Sequence, residues 1–385
     1  MHDDDDGCRV IDRQFCLDMA AAHRKSTTAQ NKAHAAAYEA LAARLAPVPP
    51  VVVPPVVVPP VAPRFSVVGR DIIGPDGRKF VPVGANGGVW DGPNGFSSLG
   101  TMAGHVADAK AWGWNCVRLN APVLGGSDTM MQLVAQTTAR VAEYTAAGIV
   151  CIVEYHGAQD AAWSAPAHQA TRDFWTALLP SVKTNPLVWI NPCNEPWQGA
   201  AALNGYATWC ADTYTWMRAR TDQVLVLDFP SWGQGDNVGD VDAMKATAVG
   251  RKDVVFAWHH YGAAGTAWNA TTATPAQFDT YADTLVAAGL PVIVGEFGSA
   301  YQGLNIAGRL HAVNRAAMLW CTDPATRTRY GFGALAWCAV GDGQNVLTLR
   351  QGPPVGDAYP AWYETRLAKS EMGARMAALA GVSPP

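Results

Sequence analysis

Short apolar runs of strand character recur along this chain near residues 80–85, 115–119, 149–154, 187–192, 223–229, 254–258, 291–295 and 333–338. Between them lie Ala-rich stretches of helical composition, for example 128–147, 168–179, 201–220, 275–288 and 306–320. Eight β units alternating with helices across about 320 residues, at spacings of roughly 25 to 45, predict an α/β protein built as a closed (β/α)8 TIM barrel rather than a doubly wound sheet. The chain contains no GxGxxG and no GxxxxGK[ST] run, so nothing argues for a nucleotide-binding fold. Just ahead of the first barrel unit, residues 64–80 hold two short β stretches with Gly and Asp-Gly between and after them, which predicts a small hairpin.

The N-terminal part follows a different pattern. Residues 11–46 are rich in Ala with Lys, Arg, Glu and Gln and contain no Gly, a composition that favours helix. Residues 47–63 read Pro-Val-Pro-Pro-Val-Val-Val-Pro-Pro-Val-Val-Val-Pro-Pro-Val-Ala-Pro. Prolines at that density remove backbone donors and fix φ, so the segment is expected to be an extended, semi-rigid spacer. The expected organisation is a helical appendage over 1–46, a linker over 47–63 and a catalytic body over 64–385. The appendage either tethers the body to a partner, oligomerises, or is a dispensable tail.

Composition narrows the function by exclusion. The 385 residues are 49% hydrophobic and 16% charged, with a net charge of −4. A chain with no basic footprint is not expected to bind nucleic acid or an anionic membrane. No apolar run reaches membrane-spanning length. The start, Met-His-Asp-Asp-Asp-Asp, is the reverse of a basic signal-peptide start, so no export address is visible. Eight cysteines without a CxxC pair make a zinc site improbable and suit buried thiols. Fifteen Trp and eleven Tyr can serve a core or stack on sugar faces.

The chemistry collects where the apolar runs end. Strand two delivers Arg118 and Asn120, strand three Glu154 and His156, strand four Asn194 and Glu195, and strand five Asp228 with Trp232 beyond it. Strand six delivers Trp258, His259, His260 and Tyr261, strand seven Glu296, and strand eight Trp337. In a (β/α)8 barrel these C-terminal strand ends form one face, the face that carries chemistry. Two acids held at strand tips, Glu195 and Glu296, fit the paired carboxylates of glycoside hydrolysis. A lone Glu after a strand is more often a solvated loop acid or a helix-start charge; two of them with the other motifs in register are not.

The order of Asn-Glu-Pro at 194–196, His-His-Tyr at 259–261 and Gly-Glu-Phe-Gly at 295–298 resembles glycoside hydrolase family 5 over about residues 65–345. That family comprises retaining (β/α)8 endoglycanases, cellulases and β-mannanases among them. The resemblance implies Glu195 as acid/base and Glu296 as nucleophile. It also implies that Arg118, His156, Asn194, His259, Tyr261 and Trp337 line the cleavage subsite. Trp232 and Trp90 are expected sugar contacts, with Trp163, Trp197 and Trp268 as further rim candidates. Arg118 is expected to favour the ionised form of Glu296, Tyr261 to hold its attacking oxygen, Glu154 to orient the site and His260 to point into packing. The segments Leu-Val-Leu-Asp-Phe-Pro-Ser-Trp-Gly-Gln-Gly at 225–235 and Leu-Pro-Val-Ile-Val-Gly-Glu-Phe-Gly at 290–298 look more like bacterial endo-β-1,4-mannanases than cellulases. Glu154-Tyr155-His156-Gly157 departs from the mannanase pattern Glu-Val-His-Asp. The expected substrate is therefore a β-1,4-linked polysaccharide, mannan ahead of glucan, cleaved without cofactor or metal. An inactive carbohydrate-binding barrel and a virion-associated exopolysaccharide depolymerase are the competing readings.

Overall fold

The computed structural model describes residue 39 and residues 63–89, 102–122, 129–157, 161–197, 203–235, 238–261, 275–298, 310–337 and 371–383. The helix expected over 11–46 and nearly all of the linker over 47–63 lie outside the described residues. Ala62–Pro385 form one compact unit.

The body opens with the expected hairpin, β1 (Ser66–Val68) paired antiparallel with β2 (Asp71–Ile73). Eight strands follow: β3 (Val83–Gly88), β4 (Cys116–Pro122), β5 (Val150–His156), β6 (Val188–Asn191), β7 (Leu225–Asp228), β8 (Val254–His260), β9 (Val292–Phe297) and β10 (Gly333–Ala336). They pair in parallel in sequence order, and β10 closes on β3, so the sheet has no free edge. Helices connect them: α1 (Met102–Ala111), α2 (Met130–Ala146), α3 (Gln169–Val182), α4 (Leu203–Arg218), α5 (Val238–Ala248), α6 (Asp279–Ala287) and α7 (Leu310–Cys321), followed by α8 (Pro324–Tyr330) and, later in the chain, α9 (Glu371–Leu379).

The strands alternate between two cores, as a period of two requires. Outward positions such as Val117, Leu119, Val153, Ile190, Leu227, Phe256, Trp258 and Val294 pack under the helices. Inward positions near the strand starts, Cys116, Val150, Ile152, Val224, Val226, Val255, Ala257, Ile293 and Leu335, fill the barrel. Below them Phe65 from the hairpin side and Phe80 meet Trp189 of β6 edge-to-face, with ring centroids 5.2 and 5.7 Å away, and meet each other at 4.9 Å. The three rings and Ile72 of β2 plug the N-terminal end of the barrel.

Four helices were not marked out by the sequence: α1, α5, α8 and α9. The first two separate apolar from polar residues poorly between their faces, so they carry little helical periodicity. The third is a two-turn piece set by its ends, with Asp323 accepting from the Ala325 and Thr326 N–H groups, Pro324 in the first turn and Gly331 left-handed after it. Five cysteines among the described residues, Cys116, Cys151, Cys193, Cys210 and Cys321, are buried free thiols.

Candidate active site

Each inward series changes character as it climbs. On β4 the order is Cys116, Arg118, Asn120; on β5 Val150, Ile152, Glu154, His156; on β6 Trp189, Asn191; on β7 Val224, Val226, Asp228; on β8 Val255, Ala257, His259. The lower members are apolar and pack together, while the upper ones are polar and, apart from half-buried His156, buried. The barrel axis therefore runs from a dry base to a charged top.

Glu296 belongs to this top only because β9 breaks the rule of alternation. Ile293 faces in and Val294 faces out, so regular spacing would turn Gly295 inward and Glu296 toward the helices. Instead β8 pairs Trp258 with Val294 and the next residue, His259, with Glu296; a register shift also occurs against β10. Gly295 is the extra residue of a β-bulge, and the bulge re-aims Glu296 into the barrel. A Cβ at Gly295 would come within 2.9 Å of the Ala257 Cβ, and the Asn86 side-chain amide donates to the Gly295 carbonyl at 2.9 Å. Glycine fits the crowded position, and Asn86 ties the bulge to β3.

The buried Arg118 guanidinium gathers the polar groups around it. It donates to Glu296 Oε1 (2.7 Å), Asn194 Oδ1 (2.8 Å), Asn191 Oδ1 (2.9 Å), Asn86 Oδ1 (3.0 Å) and Asp228 Oδ2 (3.2 Å). The other Glu296 oxygen accepts from the Tyr261 hydroxyl at 2.9 Å. His259 Nδ1 lies 2.8 Å from Glu195 Oε1 and 3.5 Å from Glu296 Oε2, so one ring nitrogen faces both carboxylates. Asn194 also meets His156 Nε2 at 3.2 Å, and His156 Nδ1 meets Glu154 Oε1 at 3.1 Å. Asn120 donates to the same Glu154 oxygen at 2.7 Å, which is the orienting position expected of that acid.

Burial and charge oppose each other here. Burial alone would lower the His259 pKa, but the Glu296 and Asp228 charges outweigh it and lift the value to about 10. Asp228 is fully buried, which raises its pKa, yet His259 and Arg118 hold it below the ordinary 3.8. For Glu296 the balance goes the other way. Burial raises it above its ordinary 4.5 while His259 and Arg118 pull it down. The expected effect of Arg118 on Glu296 thus has the right sign, but desolvation outweighs it. His156 is raised above 6.5, burial lowering it and the Glu154 charge raising it more.

Glu195 lies just past β6 with φ of 42°, a left-handed conformation that is uncommon outside glycine. Three consecutive residues after β7 share that region: Ser231 (56°), Trp232 (55°) and Gly233 (71°). This turn packs its backbone onto β8, Gly233 accepting from the His259 N–H at 2.7 Å, where a side chain would strike the His259 ring. It leaves Trp232 47% exposed. Trp232, Glu195, Gln234 and Tyr261 line a cleft of about 450 Å³.

The structure therefore brings together Arg118, His156, Asn194, Glu195, His259, Tyr261 and Glu296, with Trp232 beside them. Trp337, 6% exposed, follows β10, its N–H donating to Phe297 next to Glu296. His260 faces outward among Trp258, Phe278 and Trp320, as expected. Trp163 is a correction: it is 2% exposed and packs against His168, Trp209 and Trp216, so it belongs to the core and contacts no sugar. Trp197 is half-buried, and Trp90 and Trp268 lie outside the described residues. Sequence reading gave no role to Asp228, Asn191 or Asn86, all fully buried around Arg118. Asp228 was placed at the end of its strand without a role, and the inward parity of β3 and β6 would have found Asn86 and Asn191.

Among the described residues, Glu195, His259 and Glu296 are the side chains placed to share a cation, one ligand atom from each lying within 4.8 Å of the others. Arg118 and Tyr261 already engage the two oxygens of Glu296, and a guanidinium at 2.7 Å repels a metal ion. The set suits a neutral polyol with an electron-poor carbon better.

Comparison with known proteins agrees in fold and family. Residues 81–341 match the family profile described as cellulase (glycosyl hydrolase family 5). A mannan endo-1,4-beta-mannosidase from Streptomyces lividans is 26% identical over 291 residues, 72% of this chain and 66% of that enzyme. A beta-mannanase/endoglucanase A from Caldicellulosiruptor saccharolyticus is 28% identical over 207 residues, 49% of this chain but 14% of that longer protein. The crystal structure of a beta-mannanase from Streptomyces thermolilacinus superposes with a TM-score of 0.56 at 24% identity, covering 74% of this chain and 89% of that one.

Proposed function

Because the chain belongs to glycosyl hydrolase family 5, we propose that it is a retaining endo-glycosidase that cleaves a β-1,4-linked polysaccharide, β-mannan in preference to β-glucan, by double displacement. The observation that carries this reading is the pair of carboxylates facing one imidazole, with an oxygen of each within 4.8 Å. A retaining pair is separated by about 5–5.5 Å, whereas an inverting pair stands about 6.5–9.5 Å apart to admit a water.

In the first step Glu296 attacks the anomeric carbon through the oxygen held by Tyr261, while Arg118 keeps the other oxygen in place. Glu195 gives its proton to the departing glycosidic oxygen. The product is a glycosyl ester on Glu296. In the second step Glu195 takes a proton from water, the water oxygen attacks the same carbon from the opposite side, and the ester bond to Glu296 breaks. Two inversions leave the anomeric configuration retained. Asn194, fixed between Arg118 and His156, is placed to hydrogen-bond the sugar hydroxyl next to the reacting carbon, a contact that strengthens as charge develops. Trp337 forms the wall beside Glu296, and Trp232 offers its exposed face to a sugar near Glu195. Trp90 keeps its role as a further sugar contact. Residues 1–46 and 47–63 stand as appendage and linker outside this chemistry.

Mannan is placed first on the 290–298 and 225–235 segments and on the Streptomyces lividans relative; glucan stays second because the Caldicellulosiruptor relative carries both names. The test is reducing-sugar release from β-mannan, glucomannan and carboxymethyl-cellulose, run beside Glu195→Gln and Glu296→Gln. Release from mannan that both substitutions cut by at least about 10²-fold supports the assignment. Preference for cellulose keeps the mechanism and moves the substrate. A folded protein that releases sugar from none of them sinks the hydrolase reading in favour of an inactive binding barrel.

A further inference from the structure

Asp228 ends β7 with its side chain fully buried, and its place at a strand end assigned it no role. An isolated buried carboxylate is costly, so its four partners are informative. Oδ1 accepts from Asn191 Nδ2 at 3.0 Å, and Oδ2 accepts from Arg118 Nη2 at 3.2 Å. The same Oδ2 accepts from the backbone N–H of Glu195 at 3.0 Å and lies 3.4 Å from His259 Nε2. Two of these contacts lead to Glu195. One holds its backbone, in the left-handed conformation that a residue with a side chain avoids. The other runs through His259, whose opposite nitrogen lies 2.8 Å from Glu195 Oε1.

We propose that Asp228 is a positioning residue for the acid/base: it clamps the Glu195 backbone from below and orients His259 so that its Nδ1–H is delivered to the Glu195 carboxyl. This rests on Glu195 being the acid/base. With Asp228 within ion-pair distance of one nitrogen and glutamates facing the other, the ring is favoured in its doubly protonated form, in line with the His259 value of about 10. When Glu195 gives up its proton, the imidazolium donor is already aimed at the carboxylate left behind, and no group has to reorganise. The same ring limits how freely Glu195 moves when it later recovers a proton from water.

A merely structural Asp228, neutralising the Arg118 charge, would give a different signature. The experiment compares Asp228→Asn with the wild type on two substrates: the polysaccharide, whose leaving group needs a proton, and a dinitrophenyl β-glycoside of the matching disaccharide, whose leaving group does not. The expected result is a kcat on polysaccharide lower by about 10²- to 10⁴-fold with KM little changed. On the aryl glycoside the glycosylation rate should fall less than tenfold. Equal losses on both substrates, or no loss, overturn the proposal. If Asp228→Asn does not fold, nitrogen NMR of the His259 ring in the wild type decides: both ring nitrogens protonated through neutral pH supports the proposal, and a neutral single tautomer overturns it. A wild type that cleaves neither substrate sinks the assignment of Glu195 instead, while the NMR result stands apart from it.

Discussion

His259 is a cation in a place that would normally forbid one. Its folded pKa of about 10 lies above the 6.5 of an unfolded histidine, so its contribution to stability is complete below 6.5 and is lost as pH climbs through about 10. Denaturant melts between pH 6 and 10 should show stability falling on the alkaline side, and His259→Gln should flatten that slope; a slope that the substitution leaves unchanged would place its origin in another group. Trp232 makes the opposite kind of contribution. It is 47% exposed and held by three left-handed residues in succession, strain of the kind that persists where a side chain must be presented. Trp232→Ala should raise KM for polysaccharide about tenfold, or ~1.4 kcal/mol, and change kcat little. An unaltered KM would remove Trp232 from the binding surface. At this scale the sequence was readable where a residue sits in a motif, as Glu195, His259, Tyr261 and Glu296 do. It was silent on Asn191 and Asn86, and it placed Asp228 at a strand end without a role, because no local pattern distinguishes a buried Asp or Asn from one in a turn.

Elements were readable to the degree that tertiary packing left a periodic mark. Each of the eight barrel strands overlaps an apolar run, β3 only over its first half, because each strand is walled in on both faces. Helices α2, α3 and α4 lie within a few residues of their Ala-rich stretches; α1 and α5 escaped because their sequences separate polar from apolar faces weakly. The hairpin was legible from its turn residues, but its purpose was not. Only the folded chain shows Phe65 and Phe80 closing on Trp189 from a distance of more than a hundred residues. Phe65→Ala should cost about 3–5 kcal/mol of stability, read by chemical denaturation, while leaving kcat at 25 °C within twofold because the plug lies at the far end from the acids. A large loss of kcat in well-folded protein would mean that base and rim are coupled.

For the whole molecule, stability and chemistry occupy opposite ends of one barrel, the apolar base below and the charged top above. Both acids and the partners described for them lie on the barrel strands and the turns that follow them. Deleting residues 1–63 should leave kcat on short soluble oligosaccharides within about twofold if the barrel carries the chemistry by itself. Loss of folded protein on deletion would move the domain boundary upstream. The pattern of the chain pointed to the barrel and to the face on which to look, whereas the Pro-Val run at 47–63 carries no periodicity from which a role could be read.

The bulge on β9 carries one more consequence. A strand is read in a two-letter frame, inside and outside, and Gly295 is a one-residue insertion in that frame. Removed, it would leave Glu296 directly after the outward Val294, and plain alternation would then aim the carboxylate inward just as the bulge does now. The opposite holds for a strand that kept Gly295 but paired it in register: it would carry Glu296 on its outer face, with every functional group still in the chain and the facing pair of acids gone.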